Sequence, residues 1–153
     1  MRKILEVVIS AILILGLFTG CGTERIAITA DEFTKIAEEK GFTVNDDTGE
    51  ANPEVVEKIL IAVKDDAYQV EFYDFKNEDE AESLYEYIKL ALETEYSVKT
   101  LVKSVSSSNY DYYSFESGDV FEKVIRVGDT LLYSGAKKEY KDSVDEIIEV
   151  IGY

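Results

Sequence analysis

Apolar and polar positions change period several times along this chain, and each change marks an element. Ile4 to Phe18 is an apolar block interrupted only by Glu6 and Ser10. Farther on, Thr29-Ala30-Asp31-Glu32 has the form of a capping box, in which Thr29 serves the backbone N–H of Glu32 and Glu32 reaches back. Phe33, Ile36 and Ala37 then share one helical face and Gly41 closes the run, so a helix is predicted over residues 30–40. Phe42-Thr43-Val44 alternates briefly before the turn Asn45-Asp46-Asp47-Thr48-Gly49, and Pro53 opens a short helical turn.

Val55 to Val63 fits a helical stripe and also a compact strand. Its neighbour Tyr68 to Phe75 is a clear strand, and Asp65-Asp66 joins two such runs as a hairpin, so strands are predicted near 58–64 and 67–75. Asn77 with Glu80 forms a second capping box, and Ala81, Leu84, Tyr85, Ile88, Leu92 and Tyr96 make the apolar face of a helix over 78–96. Ser104 to Asn109 reads as a mobile Ser-rich loop. Strands follow at 110–115, 120–127 and 130–134, the last two joined at Gly128-Asp129. Asp142 or Ser143 caps a closing helix with Val144, Ile147, Ile148 and Ile151 inward.

Two stretches, Lys58 to Leu92 and Lys123 to Tyr153, each read as hairpin, charged turn and amphipathic helix. The expected fold is α+β: a mostly antiparallel sheet of about five strands with two or three helices packed on one face. One domain over residues 29–153 is expected.

Charge and composition narrow the chemistry. With 16 Lys+Arg against 32 Asp+Glu, no His and one Cys, the formal charge is −16. A grip on nucleic acid needs an excess of Lys and Arg, so no nucleic-acid partner is expected. Without histidine there is no Ser-His-Asp or Cys-His triad and no usual zinc site. No catalytic constellation is recognisable, and no cofactor or metal is expected.

Met1-Arg2-Lys3, the apolar block and Thr19-Gly20-Cys21 reproduce the layout of an export signal, with the single cysteine at the cleavage boundary. The block is too short for the roughly 20 residues of a membrane-spanning helix. Leu17-Phe18-Thr19-Gly20-Cys21 resembles the lipobox of bacterial lipoproteins, with Phe18 where most have Leu. That resemblance implies cleavage between Gly20 and Cys21, acylation of the Cys21 thiol, and a signal peptide over residues 1–20. The exported chain would then be lipid-anchored to the outer face of the cytoplasmic membrane, with residues 21–28 as a short tether of roughly 25–30 Å when extended. Tyr68 to Phe75, Asp129 to Tyr133 and Tyr140 to Tyr153 are similar to small uncharacterised lipoproteins of low-GC Gram-positive bacteria. That likeness implies a Gram-positive surface and an α+β domain, and no activity.

Candidate sites remain. Asn45 to Glu50 looks like the start of an EF-hand, but no register places both Gly at position 6 and Glu at position 12. Glu78, Glu82 and Glu86 lie four apart on one helix and read as a solvated face. Tyr110, Tyr112 and Tyr113 are the better binding candidates: alternation puts Tyr110 and Tyr112 on one strand face, Tyr113 and Phe115 on the other, and one face is expected to be exposed. Lys137, Lys138 and Lys141 form the dense basic cluster, available to an anionic lipid or wall polymer. The expected function is a non-enzymatic binding module at the membrane, with an envelope protein, peptide or glycan as partner. Its rivals are ligand capture for a transporter and a carboxylate-dependent hydrolase.

Overall fold

A computed structural model describes residues 25–153. The apolar block, Gly20 and Cys21 lie outside the described residues. Seven strands form one antiparallel sheet: β1 (Thr43–Asp46), β2 (Val56–Lys64), β3 (Tyr68–Phe75), β4 (Thr100–Ser107), β5 (Tyr110–Ser117), β6 (Val120–Val127) and β7 (Thr130–Lys137). Their order across the sheet is β1-β2-β3-β7-β6-β5-β4. Among the described residues three helices accompany it: α1 (Ala30–Glu39), α2 (Glu78–Glu95) and α3 (Lys141–Ile151). Among the described residues no helix is long and apolar enough to cross a membrane.

The sheet has seven strands rather than about five, and the two additional ones are its edges. β1 is four residues long and mostly exposed, and every residue of β4 is exposed. An edge strand has a neighbour on one side and need not bury a face, so its residues carry no strong alternation. β4 replaces the expected Ser-rich loop: Ser104, Ser106 and Ser107 lie opposite Tyr113, Asp111 and Tyr110 in regular register.

The helices lie on both faces of the sheet, not one. Phe33 and Ala37 of α1 and Val144, Ile147, Ile148 and Ile151 of α3 pack on Leu60, Val70, Phe72, Ile125 and Leu132. Ala81, Tyr85 and Leu92 of α2 pack on Phe75, Phe115, Val124 and Leu131. The cause is visible in Val124-Ile125 and Leu131-Leu132, where neighbouring apolar residues point to opposite faces and each needs its own cover. Full burial of each such side chain contributes roughly 1.5–3 kcal/mol, so leaving either face bare would forfeit many of these terms at once.

Local chemistry fixes the connections. Thr29 and Glu32 make the expected reciprocal cap of α1, and the Asn77 side chain accepts from Glu80 N–H at the start of α2. Asp65 and Asp66, at φ 52° and 53°, form a left-handed pair closed by Ala67 N–H donating to Lys64 C=O at 2.9 Å. That backbone twist suits a two-residue hairpin, and Asp tolerates it better than a branched residue. Neither Asp142 nor Ser143 caps α3. A 3-10 turn over Lys138–Tyr140 leads straight into it, and Tyr140 at the cap position makes no side-chain bond.

Ahead of α1, residues 25–28 lie against the domain. Arg25 C=O accepts from Asn109 Nδ2 at 2.8 Å, its guanidinium sits 3.9 Å from the Tyr110 ring centre, and Ile28 N–H donates to the Tyr153 hydroxyl at 3.1 Å. The chain therefore meets the sheet at the β4–β5 turn, beside the C-terminal end of α3.

Candidate functional site

Because α3 stands over the inner strands while β4 is exposed throughout, a groove is left between the helix and the β4–β5 ribbon. Its larger compartment, about 430 Å³, is lined by Lys103, Tyr112, Lys123, Asp145, Glu149 and Tyr153 among others. A second compartment of about 180 Å³ shares Lys103, Tyr112 and Asp145 and extends to Leu101, Glu116, Phe121 and Lys141. Strand alternation places these groups: Val105 lies opposite Tyr112, Lys103 opposite Ser114, and Tyr112 opposite Ile125.

At the bottom one carboxylate serves two ammonium groups. Lys123 Nζ donates to Asp145 Oδ1, and Lys141 Nζ, one helical turn before Asp145, donates to Oδ2 at 2.7 Å. The Lys123 ammonium also lies 5.5 Å from the Tyr112 ring centre and 5.3 Å from that of Phe121, within range of cation–π attraction. Lys141 Nζ is 5.3 Å from the Phe121 centre. Burial pushes the Asp145 carboxyl up, but hydrogen bonds from Lys123 and Lys141 outweigh it and hold the group below the usual carboxylate range. The bond to Asp145 in turn raises Lys141 above an ordinary lysine. Two lysines on one carboxylate give the trio a formal charge of +1 inside a strongly acidic chain.

Glu116 is 3% exposed and faces the smaller compartment. Lys138 Nζ lies 2.5 Å from its Oε2, a buried oxygen, as an ion pair. Among the described residues Lys103 has no hydrogen-bond or ion-pair partner; it projects from the edge strand over the groove floor.

The tyrosine candidates separate. Tyr112 forms part of the groove floor, its hydroxyl accepting from Ser114 Oγ at 3.0 Å. Tyr110 is half-buried at the mouth under Arg25. Tyr113 is 3% exposed and packs on the α2 side beside Phe115. Neither face of this strand is bare, contrary to the expectation that one would be. The lysine cluster separates as well: Lys141 is held by Asp145, Lys138 by Glu116, and Lys137 is exposed at the end of β7.

The acidic candidates lie elsewhere. Asp46 is engaged by Lys58 Nζ at 2.5 Å and Thr48 N–H at 3.0 Å, and Glu78, Glu82 and Glu86 are exposed. Among the described residues no three Asp, Glu or Cys side chains converge as a metal site.

Sequence reasoning missed Lys103, Lys123, Phe121 and Asp145. A signal existed for one of them: Val120-Phe121-Glu122-Lys123-Val124-Ile125-Arg126-Val127 puts three charges inside a strand too apolar to lie at the surface.

No protein-family model matches the chain, and no curated protein matches it. Among solved structures, a GTP binding regulator from Thermotoga maritima is similar, with 15% identity and a TM-score of 0.45 over 78% of this chain and 84% of that one.

Proposed function

We propose that this chain is a lipid-anchored, non-enzymatic binding module that engages its partner in the groove between α3 and the β4–β5 ribbon. The observation that carries the groove assignment is Lys123. Its ammonium is withdrawn from water at the groove bottom and shares a single carboxylate with Lys141. A methionine would fill the same space without the desolvation cost of an ion, so stability alone does not account for a lysine there. The groove opens beside Leu101 and Lys103 of the exposed strand β4. Such a trough suits a segment of a larger partner better than an enclosed small molecule. The anchoring half of the reading rests on the lipobox resemblance of Leu17 to Cys21.

Photo-crosslinking in intact membranes tests the groove, with the reactive residue placed at Leu101 and, as a control on the far side of the sheet, at Asp65. A discrete adduct from Leu101 alone is expected; equal adducts from both positions, or none from Leu101, would overturn the groove assignment. Comparing intact mass and membrane partitioning with a Cys21→Ala variant tests the anchor. A wild type that carries no lipid mass removes it.

A further inference from the structure

We propose that the exposed edge of β4 accepts an extended segment of a partner protein as an eighth strand, and that this segment carries an acidic residue flanked at alternate positions by apolar ones. This rests on the groove assigned above and specifies what fills it. Three observations converge on that occupant.

The first is the edge itself. All eight residues of β4 are exposed, and among the described residues no strand lies along one side of its backbone. Proteins blunt such edges with short strands, charges or proline. β1 at the opposite edge is four residues long and ends in Asp46, whereas β4 is twice that length and carries Leu101, Val102 and Val105 at 68%, 50% and 52% exposure. Its irregularity lies at Thr100/Lys103, with Leu101 at φ 51°, and the register from Lys103 to Ser107 is regular.

The second is the pattern on the groove side. Leu101 and Lys103 line the groove, and Val105 stands on the same face opposite Tyr112. Cross-strand neighbours prefer like with like for apolar groups and opposite signs for charges. A strand added beside β4 would therefore set an acidic side chain by Lys103 and apolar ones by Leu101 and Val105. From Tyr96 to Tyr110 the chain has two lysines and no acid, although acids outnumber bases two to one overall. In the groove Lys103, Lys123 and Lys141 stand with Asp145, Glu149 and Glu116, and of these lysines Lys103 alone has no carboxylate partner among the described residues.

The third is the mixed lining of the smaller compartment, where Leu101 and Phe121 stand beside Lys103. A peptide meets both kinds of group. A free inorganic anion meets only the charge, and it would face the carboxylates of Glu116 and Asp145. A second copy pairing β4 with β4 would bring no acid to Lys103, because Thr100–Ser107 contains none, so the occupant that satisfies Lys103 is a different chain.

The full-length protein in detergent micelles is titrated with a capped heptapeptide carrying Val, Glu and Val at its second, fourth and sixth positions and Thr elsewhere. The controls are the same peptide with Lys at the fourth position and a version N-methylated along one edge. Amide chemical shifts of residues 103–107 and the Tyr112 ring are the readout. The acidic peptide is expected to bind roughly five- to tenfold more tightly than the Lys peptide, the size expected of one exposed ion pair gained and one like-charge contact avoided. Lys103→Glu, an exposed change that leaves the fold intact, should reverse that order, and N-methylation should abolish the shifts. Equal binding of the two peptides, shifts confined to other strands, or β4 shifts that grow with protein concentration without peptide would each overturn the proposal. The last result would assign the edge to a second copy. A Leu101 crosslink in membranes together with no preference between the peptides would retain the groove and discard only the acidic strand.

Discussion

Strand β6 delivers a buried cation to each face of the sheet, and the two are treated differently. Arg126 points toward the α2 layer, where its Nε donates to Asp111 Oδ2 at 2.6 Å and its Nη1 to Gly128 C=O at 3.2 Å, while Ser106 Oγ bonds the same Asp111 carboxylate. Both partners are almost fully enclosed, with 3% and 6% of their side chains exposed. Three residues earlier, Lys123 points to the other face, shares Asp145 with Lys141, and opens onto the groove. The arginine pair is closed by protein on every side and ties the β4–β5 and β6–β7 turns together. The lysine trio has a surplus charge and an open side. A buried ion pair by itself signals little; the presence of spare capacity facing solvent separates a clamp from a site.

The largest effect is expected at the clamp. Asp111→Ala leaves Arg126 enclosed without its counter-ion and should lower stability by about 3–5 kcal/mol, read from urea unfolding. A loss below about 1 kcal/mol would mean that the arginine finds water, and the contrast between the two cations would collapse. Asp145→Asn should be milder, about 2 kcal/mol, because Asp145 is 36% exposed and the amide oxygen still accepts a hydrogen bond from a lysine. The sign with pH follows from its lowered pKa. The contribution of Asp145 is fully present above the unfolded value near 3.9 and is lost as pH falls through the folded one, so variant and wild type should converge in acid.

Lys123→Met sharpens the comparison further. It should change stability by less than about 1 kcal/mol, since an apolar residue of similar volume replaces an ion whose pairing barely offset its desolvation. The Leu101 crosslink should nevertheless weaken. If the variant unfolds instead, Lys123 is a structural group like Arg126.

The smallest effect concerns Glu122, the third charge of β6. It is 5% exposed, lies on the α2 side against Gly135, where an added Cβ would come within 2.8 Å of its carboxylate, and accepts from the Tyr96 and Tyr133 hydroxyls at 3.0 Å each. Burial raises its pKa although both hydroxyls oppose the shift. A raised carboxyl favours the folded state below its unfolded value near 4.3 and penalises it as pH climbs through the folded one. Glu122→Gln should therefore raise the melting temperature at pH 7, by under about 1 kcal/mol of stability, with the gain vanishing toward pH 4. A gain independent of pH would show that ionisation of Glu122 is not the cause.

The elements that bury a face were legible in the chain. Thr29 with Glu32, Asn77 with Glu80, the Asp65-Asp66 turn and the apolar stripes of α1, α2 and α3 lie where periodicity puts them, because each signal is local. The two edge strands were not, since a strand that buries nothing has no period to read. The second helical layer was written in Val124-Ile125 and Leu131-Leu132, but adjacent apolar pairs say only that both faces need cover and not by what. For the groove, Tyr112 was found by strand alternation. Lys123 and Asp145 meet across 22 residues, and Lys103 joins them only through the β4–β5 pairing that was itself unread.

The attachment of Arg25 to Asn109 and Tyr110 would, if the chain is anchored as proposed, set a height limit on what the domain can meet. Under the proposed anchoring, Cys21 and Arg25 are four peptide units apart, a span of at most about 14 Å. Asn109 follows β4 within two residues, so the Ser107 end of that strand is the end nearer the anchor. The strand itself extends roughly 26 Å from there. Under that anchoring every point along the edge would stand within about 50 Å of the lipid, so segments projecting higher into the envelope would lie beyond the reach of β4.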